Sequence, residues 1–246
     1  MNTLPRVRIV LVGTTHPGNI GAAARAMYTM ALTRLYLVRP KIFPHEEASA
    51  RAAGADALLD RAVLCDTLAQ AVADCTLVIG ASVRERSIEL PPLDPPACAE
   101  LALAHAAHGE VALVFGPEHS GLSNQDLDLC QRRVVIPSNP AFASLNLAAA
   151  VQVLAYELYR RAAVAPPPPA EPSGPPATHA ELERLFEHLE RVLERVRFLR
   201  PSNPQRGMRR LRALVNRATP DQNEVQILRG ILSAIEHALA KANPDV

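Results

Sequence analysis

The chain has 246 residues, of which 48% are hydrophobic, so it can bury a full core in one large or two modest domains. Only 4% of the residues are aromatic and none is Trp, which argues against an aromatic stacking platform as the main binding device. The net charge is +1, and the four Cys are scattered without the spacing of metal ligands, so neither a zinc site nor a disulfide framework is indicated.

The first apolar run, at residues 6–13 (RVRIVLVG), is too short for a signal peptide. No apolar stretch of the chain reaches the roughly 18 residues of a membrane span. We therefore expect a soluble, cytoplasmic protein that makes no contact with a membrane. The run at residues 6–13 is instead typical of a buried β-strand.

Apolar strands alternate with helical stretches over the first two thirds of the chain. Strands are predicted at residues 6–13, 33–39, 62–65, 76–82, 111–116 and 134–136. Helices are predicted at residues 22–30, 45–54, 67–73, after the Pro-rich connection 91–96 as far as His108, at 126–131, and from Asn146 onward. This alternation predicts an α/β domain with a parallel sheet. The strands are almost continuous in Val, Ile and Leu, which is typical of a sheet covered on both faces.

A Pro-rich segment at residues 164–177 favours an extended spacer and marks a domain boundary. The chain is therefore divided into a first domain at residues 1–163, this linker, and a helical domain at residues 178–246. The helical domain starts with a capping pattern and has three predicted helices, near 178–199, 206–217 and 221–242. Nine Arg and a single acid lie between residues 191 and 217, which indicates either a phosphate-contacting surface or a solvated helix face.

The loop after the first strand, residues 13–25 (GTTHPGNIGAAAR), resembles a phosphate loop only in its glycines. It has no Walker Lys or Ser/Thr and no Gly-x-Gly-x-x-Gly fingerprint, so an ordinary nucleotide or dinucleotide site is not indicated. Asn19 stands where a helix would begin, and Arg25 falls within two turns of that point. Arg25 could therefore reach an anionic group at the helix start, or it could simply pair with a Glu or a helix carboxyl end.

Three further loops follow strands at the same predicted edge of the sheet. The loop at residues 116–123 (GPEHSGLS) places Glu118 between two glycines. Ser144 and Asn146 precede the long helix, where they could cap it or contact a ligand. Residues 80–82 (Gly-Ala-Ser) end another strand. Because these loops converge on one edge, a binding or catalytic site there is more strongly indicated than by any one of them.

These residues carry a family resemblance. The ordered set Asn19-x5-Arg25, LVFGPEHSGLS and IPSNPAFASLNLAAAVQVLAYEL resembles the three motifs of the SPOUT superfamily of RNA methyltransferases, in its TrmH-like branch. The resemblance also extends through GASVRERSIELPPLDP at residues 80–95 and through residues 206–236. In that detail the chain is similar to enzymes that 2′-O-methylate the ribose of nucleotide 32, a cytidine or uridine, in the anticodon loop of tRNA.

The resemblance implies a deep trefoil knot at the carboxyl end of the α/β domain, a small all-α C-terminal domain, and a homodimer whose site uses both subunits. It also implies S-adenosyl-L-methionine as cofactor, tRNA as partner, and no metal. The functional polar residues carried over are Asn19, Arg25, Glu118, Ser144 and Asn146. The cofactor-binding residues carried over are Ala81, Ser82, Val83, Gly116, Ile136, Ala143, Ser144 and Leu145. The arginines expected to bind RNA are Arg197, Arg200, Arg206, Arg209 and Arg210.

The chain departs from the family pattern at a few positions. Phe142 stands where related bacterial enzymes can carry Tyr, so any role of a hydroxyl there is lost. Ala81 replaces an expected Thr, which leaves cofactor contact there to backbone and packing, and Pro117 and His119 flank Glu118 where other residues are expected. Two alternatives stay open at this point: methylation of another RNA, such as ribosomal RNA, and a noncatalytic RNA-binding protein that keeps the fold.

Overall fold

The computed structural model describes residues 4–83, 92–163, 174–199 and 204–242. Within these ranges seven strands form one sheet in which all pairings are parallel. The strands are β1 (Val7–Val12), β2 (Arg34–Val38), β3 (Val63–Cys65), β4 (Cys75–Ala81), β5 (Pro92–Leu93), β6 (Glu110–Phe115) and β7 (Arg132–Val134). Their order across the sheet is β3-β2-β1-β6-β4-β7-β5. The predicted α/β fold with a parallel sheet is thereby confirmed, and the trefoil knot stays a prediction.

Ten α-helices accompany the sheet in the described part of the chain, together with a 3-10 turn at Leu4–Arg6. They are α1 (Pro17–Thr29), α2 (Glu46–Ala52), α3 (Asp56–Asp60), α4 (Leu68–Val72), α5 (Pro95–Ala106), α6 (Asn124–Asp128), α7 (Leu147–Ala163), α8 (His179–Arg195), α9 (Pro204–Ala218) and α10 (Gln222–Ala242). The first seven belong to the α/β part, and the last three form the helical part.

The sheet is buried on both faces, as its apolar strands predict. In β1, Ile9 and Leu11 point into a large core that contains residues of α1, α5 and α7. Val10 and Val12 alternate with them and point into a second core with residues of α4 and α6. Because successive side chains of a strand face opposite sides, one continuous apolar run supplies both cores.

Several elements differ from the sequence prediction, of which four bear on the site or the sheet. Helix α1 begins at Pro17 rather than at residue 22, because proline suits the first turn of a helix and the ring nitrogen of His16 accepts a hydrogen bond from the Gly18 amide at 3.3 Å. The helix predicted at residues 45–54 is shorter and is followed by the separate α3. Strand β7 ends at Val134, two residues before the predicted end. The short strand β5 was not predicted, since it lies in a Pro-rich connection.

The three C-terminal helices share a small core of their own, made from residues such as Leu182, Phe186 and Val225. Helix α8 starts with the capping box that its sequence predicts: the Thr178 hydroxyl accepts from the Glu181 amide, and the Glu181 carboxylate accepts from the Thr178 amide at 2.8 Å. These contacts fix where the helical part begins after the linker, whose residues 164–173 lie outside the described residues.

Helix α9 is fastened to the α/β part by two arginines. Arg132, the first residue of β7, donates hydrogen bonds to the carbonyl oxygens of Asn216 and Arg217 at 3.0 Å each. Cationic donors at a helix carboxyl end satisfy carbonyls that have no partner within the helix. On the same helix, Arg209 forms an ion pair of 3.3 Å with Asp128 at the end of α6.

Candidate active site

Glu118 ties together the loops that follow β1 and β6. Its carboxylate accepts hydrogen bonds from the amide and hydroxyl of Thr15 at 3.0 and 2.8 Å and from the His16 amide at 3.3 Å. The side-chain amide of Asn19, in the first turn of α1, donates a further hydrogen bond of 2.8 Å. One carboxylate therefore sets the position of the α1 start relative to the end of β6.

The hydrogen bonds also determine the charge state of Glu118. Burial by itself would raise the pKa of this carboxyl group, but hydrogen bonds from Asn19 and Thr15 outweigh burial and lower the pKa to about 2. The group is therefore a carboxylate at neutral pH. A carboxylate with so low a pKa is a weak base, so its arrangement suits it to hold the loops rather than to remove a proton.

Asn146 extends the same chain of hydrogen bonds to α7. Its side-chain NH2 group donates to the side-chain oxygen of Asn19 at 3.0 Å, while its side-chain oxygen accepts from the Ala148 amide at 2.9 Å. The second bond is an N-cap of α7. Asn146 thus donates to Asn19, and Asn19 donates to Glu118. These two hydrogen bonds connect the start of α7, the start of α1 and the loop after β6.

Beside this chain lies a pocket of about 320 Å³ at the carboxyl edge of the sheet. It is bounded by the loops after β4, β6 and β7 and by the first turn of α7. The predicted cofactor residues all line it: Ala81, Ser82, Val83, Gly116, Ile136, Ala143, Ser144 and Leu145. Its size falls in the range of roughly 300–1,000 Å³ that is usual for small-molecule sites.

Gly116 allows the wall of the pocket to close. A Cβ atom at this position would lie 2.2 Å from the backbone of Gly121, so that only glycine lets the start and the end of the loop touch. Gly121 itself has a φ of +65°, the left-handed region in which glycine is favoured. Both glycines therefore shape the loop that carries Glu118.

Several site residues were missed by the sequence analysis. Thr15, whose amide and hydroxyl both bind Glu118, stands in the same loop as Asn19 and could have been noticed as a hydroxyl next to a candidate polar residue. Phe115, Leu147 and Ala150 also line the pocket, but each belongs to an apolar run that looks like ordinary core.

Arg25 is not brought to the pocket of its own chain. It lies six residues after Asn19 on α1, about 9 Å further along the helix axis and about 120° around it. Its side chain is exposed, it is absent from the pocket lining, and no residue in the described part of the chain forms an ion pair with it. The alternative that Arg25 simply pairs with a Glu is therefore not supported by the described residues.

Both parts of the chain match known protein families. Residues 6–156 match the SpoU rRNA Methylase family, and residues 180–244 match the C-terminal domain of tRNA methyltransferase TrmJ. The chain belongs to the SpoU rRNA Methylase family. The predicted resemblance to RNA methyltransferases is thereby confirmed, including the part of it that the C-terminal helices carry.

Individual SpoU relatives cover almost the whole chain. The tRNA (cytidine/uridine/adenosine-2′-O-)-methyltransferase TrmJ of Pseudomonas aeruginosa (strain UCBPP-PA14) is 49% identical over 240 residues, which are 94% of this chain and 93% of the relative. The tRNA (cytidine/uridine-2′-O-)-methyltransferase TrmJ of Cronobacter sakazakii (strain ATCC BAA-894) is 47% identical over 238 residues, which are 95% of this chain and 97% of the relative. The crystal structure of TrmJ from Z. mobilis ZM4 is similar with a TM-score of 0.81 and 37% identity, and it covers 93% of this chain and 98% of that one.

Outside the SpoU-matched part, four of the five arginines expected to bind RNA fall on described residues. Arg197, just after α8, and Arg206 and Arg210, on α9, are exposed. Arg209 is only partly exposed because it pairs with Asp128. Arg200 lies outside the described residues.

The described residues of this SpoU protein contain neither a candidate metal site nor a candidate membrane-spanning helix. In the ranges that the structure describes, no three His, Cys, Asp or Glu residues come together as a group that could hold a metal ion. Over the same ranges, no helix has both the length and the apolar character needed to cross a bilayer.

Proposed function

We propose that this SpoU methylase transfers the methyl group of S-adenosyl-L-methionine to the ribose 2′-OH of nucleotide 32, a cytidine or uridine, in the anticodon loop of cytoplasmic tRNA. The relatives that cover almost the whole chain are named as tRNA 2′-O-methyltransferases, and the chain has the C-terminal domain of such an enzyme. The observation that carries the proposal is the pocket, because it gathers the cofactor residues expected from the resemblance around one cavity beside the Asn146–Asn19–Glu118 chain.

The residues of the pocket suit this cofactor. The walls are mostly apolar side chains and backbone, with a few polar groups such as Ser82 and Ser144, which is the usual composition of a site for a nucleoside-containing ligand. Residues 81–83, Gly116, Ile136 and residues 143–145 would hold it. When bound, the cofactor supplies a methyl group already activated by its sulfonium.

The protein then has to position the ribose oxygen and assist the loss of its proton. Arg25 orients the 2′-OH and the adjacent phosphate, since a guanidinium binds phosphate through a rigid fork of donors. A guanidinium group stays protonated at neutral pH, so it cannot act as a simple base. Glu118, with a pKa of about 2, is also a poor proton acceptor. The proton of the 2′-OH therefore passes to the adjacent phosphate or to water.

A homodimer brings Arg25 to a pocket. Because Arg25 lies outside the pocket of its own chain, we propose that it completes the site of a second copy. Tyr28 on α1 and Tyr156 and Tyr159 on α7 are exposed, although α1 and α7 pack on each other. A second copy that packs on α1 and α7 would cover these aromatic side chains.

The helical part would bind the tRNA body. Residues 1–163 form the catalytic domain, residues 164–177 the linker, and residues 178–246 the tRNA-binding domain in this proposal. Arginines such as Arg206 and Arg210 are placed on an exposed face of α9, where they can contact phosphates without reading sequence. Binding should therefore weaken steeply with salt, and each arginine changed to Ala should reduce the slope of log affinity against log salt by about 1.

The test is methyl transfer from labelled S-adenosyl-L-methionine to unmodified total tRNA, followed by mapping of the methylated ribose. A single 2′-O-methyl group at nucleotide 32, abolished by Arg25→Ala, is the expected result. Labelling of ribosomal RNA instead of tRNA would contradict the substrate. Calorimetry with the cofactor alone is the control, since a chain that neither binds the cofactor nor methylates any RNA would be a noncatalytic protein that has kept the fold for RNA binding.

A further inference from the structure

The corner between α8 and α9 has an unusual backbone. The amide of Phe198 donates to the carbonyl of Leu193 at 2.9 Å, and the amide of Arg197 donates to the carbonyl of Glu194 at 3.0 Å. This pair of hydrogen bonds is the Schellman motif that ends many helices. The motif requires a left-handed residue, and here Arg197 occupies that position with a φ of +58°.

Glycine is the residue that normally takes this position, because a Cβ atom makes the left-handed conformation unfavourable. An Arg at this position therefore makes the folded chain less stable than a Gly would. The side chain of Arg197 is exposed, so packing of this side chain does not offset the cost. Strained backbone of this kind is found at binding sites, where the side chain contributes to function.

Phe198, the next residue, is 63% exposed. In a Schellman motif the residue at this place commonly packs against the helix, but at this corner Leu199 is the buried residue. Leu199 lies against the first turn of α9, where a Cβ added to Gly207 would be 3.0 Å from its side chain. The corner is therefore anchored by Leu199, and Phe198 is left to face solvent.

The two aromatic residues of the helical part have opposite environments. Phe186 is 1% exposed and lies 4.4 Å beneath the guanidinium of Arg212, which itself pairs with Glu183. Its role is to fill the small core. Phe198 fills no core, although burial of a Phe side chain is favourable.

The surroundings of Phe198 are cationic. Arg197 precedes it, and the first turns of α9, against which Leu199 packs, carry the exposed Arg206 and Arg210. Glu194 is the single acid between residues 191 and 217 of the sequence. An exposed aromatic ring flanked by arginines matches the chemistry of unpaired nucleotides, whose bases stack on the ring while their phosphates bind the cations.

We propose that Phe198 stacks on an unpaired base of the RNA substrate, while Arg197 and Arg206 contact the adjacent phosphates. Base identity matters little to this contact, because every base has a π-face. The identification of that RNA as tRNA rests on the proposed function; the stacking itself rests on the exposure of Phe198 and on the charge around it. Phe198 is a binding residue and takes no part in the transfer.

The experiment compares the full-length chain with the variants Phe198→Leu and Phe198→Trp. The control is Leu214→Ala, which removes an exposed apolar side chain of α9 that has no aromatic ring. Affinity is measured by fluorescence anisotropy with labelled, unmodified tRNA and with tRNAs that carry one abasic nucleotide at each unpaired position in turn. Methyl transfer, cofactor affinity and oligomeric state are measured in parallel.

We expect Phe198→Leu to weaken tRNA binding about tenfold and to raise KM with little change in kcat, whereas Phe198→Trp and Leu214→Ala bind as the unaltered chain does. At one position, the abasic RNA should bind the unaltered chain and the Phe198→Leu variant equally well, because the base that stacks on Phe198 is missing. A purely structural role of Phe198 would leave the difference in affinity at every position. Equal binding by the Phe198→Leu variant, or a change in oligomeric state that accounts for its loss, would overturn the proposal. Absence of methyl transfer by the unaltered chain counts against the proposed function alone, since the binding comparison does not depend on it.

Discussion

The two ends of the parallel strands carry polar clusters of opposite design. At the amino end, Arg8 on β1 is 1% exposed and donates to Asp74 at 2.8 Å and to Glu110 at 3.1 Å. Arg34 on β2 pairs with the same Glu110. Two cations therefore meet two carboxylates, and the charges balance within the cluster.

At the carboxyl end, the carboxylate of Glu118 receives its hydrogen bonds from Thr15, His16 and Asn19 through uncharged groups. The cation expected to act at this end, Arg25, is exposed and lies outside the pocket. A closed ion cluster leaves no charge for a substrate, whereas at the carboxyl end Glu118 holds the loops through neutral donors and the Arg25 cation faces solvent, where it can meet an anionic substrate. One end of the sheet is therefore suited to stability, and the other is suited to the proposed function.

Arg8→Met should give the largest change in stability, a loss of about 3 kcal/mol in the free energy of unfolding. The buried carbonyl of Ala71, which accepts from Arg8 at 2.9 Å, would lose its cationic partner together with the two carboxylates. Urea unfolding measures the change. The matched control is Arg34→Met, which removes the more exposed cation from the same Glu110 and should cost about 1 kcal/mol or less. Equal costs at the two positions would show that burial does not distinguish them.

Arg25→Ala should lower methyl transfer to tRNA at least about 100-fold, equivalent to about 2.7 kcal/mol, while the free energy of unfolding changes by less than about 0.5 kcal/mol. The reason is that its exposed side chain contributes to substrate orientation and to no described ion pair. Single-turnover assays and urea unfolding give the two values. Arg51→Ala, which removes an exposed Arg from α2, is the control. Full turnover by Arg25→Lys would contradict the role given to the guanidinium fork.

Glu118→Gln should change the acid sensitivity of the chain. The folded pKa of about 2 lies below the ordinary value of 4.5, so the carboxylate contributes stability above pH 4.5 that is lost as the pH falls towards 2. We expect the unaltered chain to lose about 1–2 kcal/mol more than the Gln variant between pH 6 and pH 3, after allowance for solvent screening. Urea unfolding at both pH values tests this, and identical losses would contradict it. Asp74, whose pKa is also lowered, titrates in both proteins and cancels.

Asn146 offers the smallest and most selective change. Asn146→Ala removes both the α7 cap and the bond to Asn19 and should cost about 1 kcal/mol. Asn146→Asp keeps an oxygen for the cap but cannot donate to Asn19, so it should cost less in stability while lowering methyl transfer as much as the Ala variant does. Thermal unfolding and transfer assays on the same samples compare the two effects. An Asp variant with normal transfer would show that the link to Asn19 has no part in function.

The strands could be predicted because their apolar runs are continuous: β1, β2, β4 and β6 lie within a residue or two of their predicted ranges. The sheet order could not be predicted, since it depends on pairing between distant segments. Strand β5 was missed because two residues, Pro92 and Leu93, contain no period to detect.

The site residues were placed by resemblance rather than by pattern. Asn19, Glu118 and Asn146 are far apart in sequence, with separations of 99 and 127 positions between the bonded pairs, so no local signal reports that they form one chain. Helical spacing put Arg25 within two turns of Asn19, but spacing along one helix cannot show that the side chain is absent from the pocket lining. The exposure of Phe198 could not be predicted either, because the sequence does not show which of the adjacent residues Phe198 and Leu199 packs into the corner.

The contacts of Arg132 also have a consequence for the order of folding. This residue opens β7, which lies between β4 and β5, and its bonds to α9 join positions 84 and 85 residues apart. Such distant contacts form only after the long intervening loop has closed. Because the guanidinium is in place only once β7 has joined the sheet, we expect the carboxyl end of α9 to dock after β7 has paired. During refolding, the backbone amides at the carboxyl end of α9 should therefore become protected from hydrogen exchange only after those of the sheet.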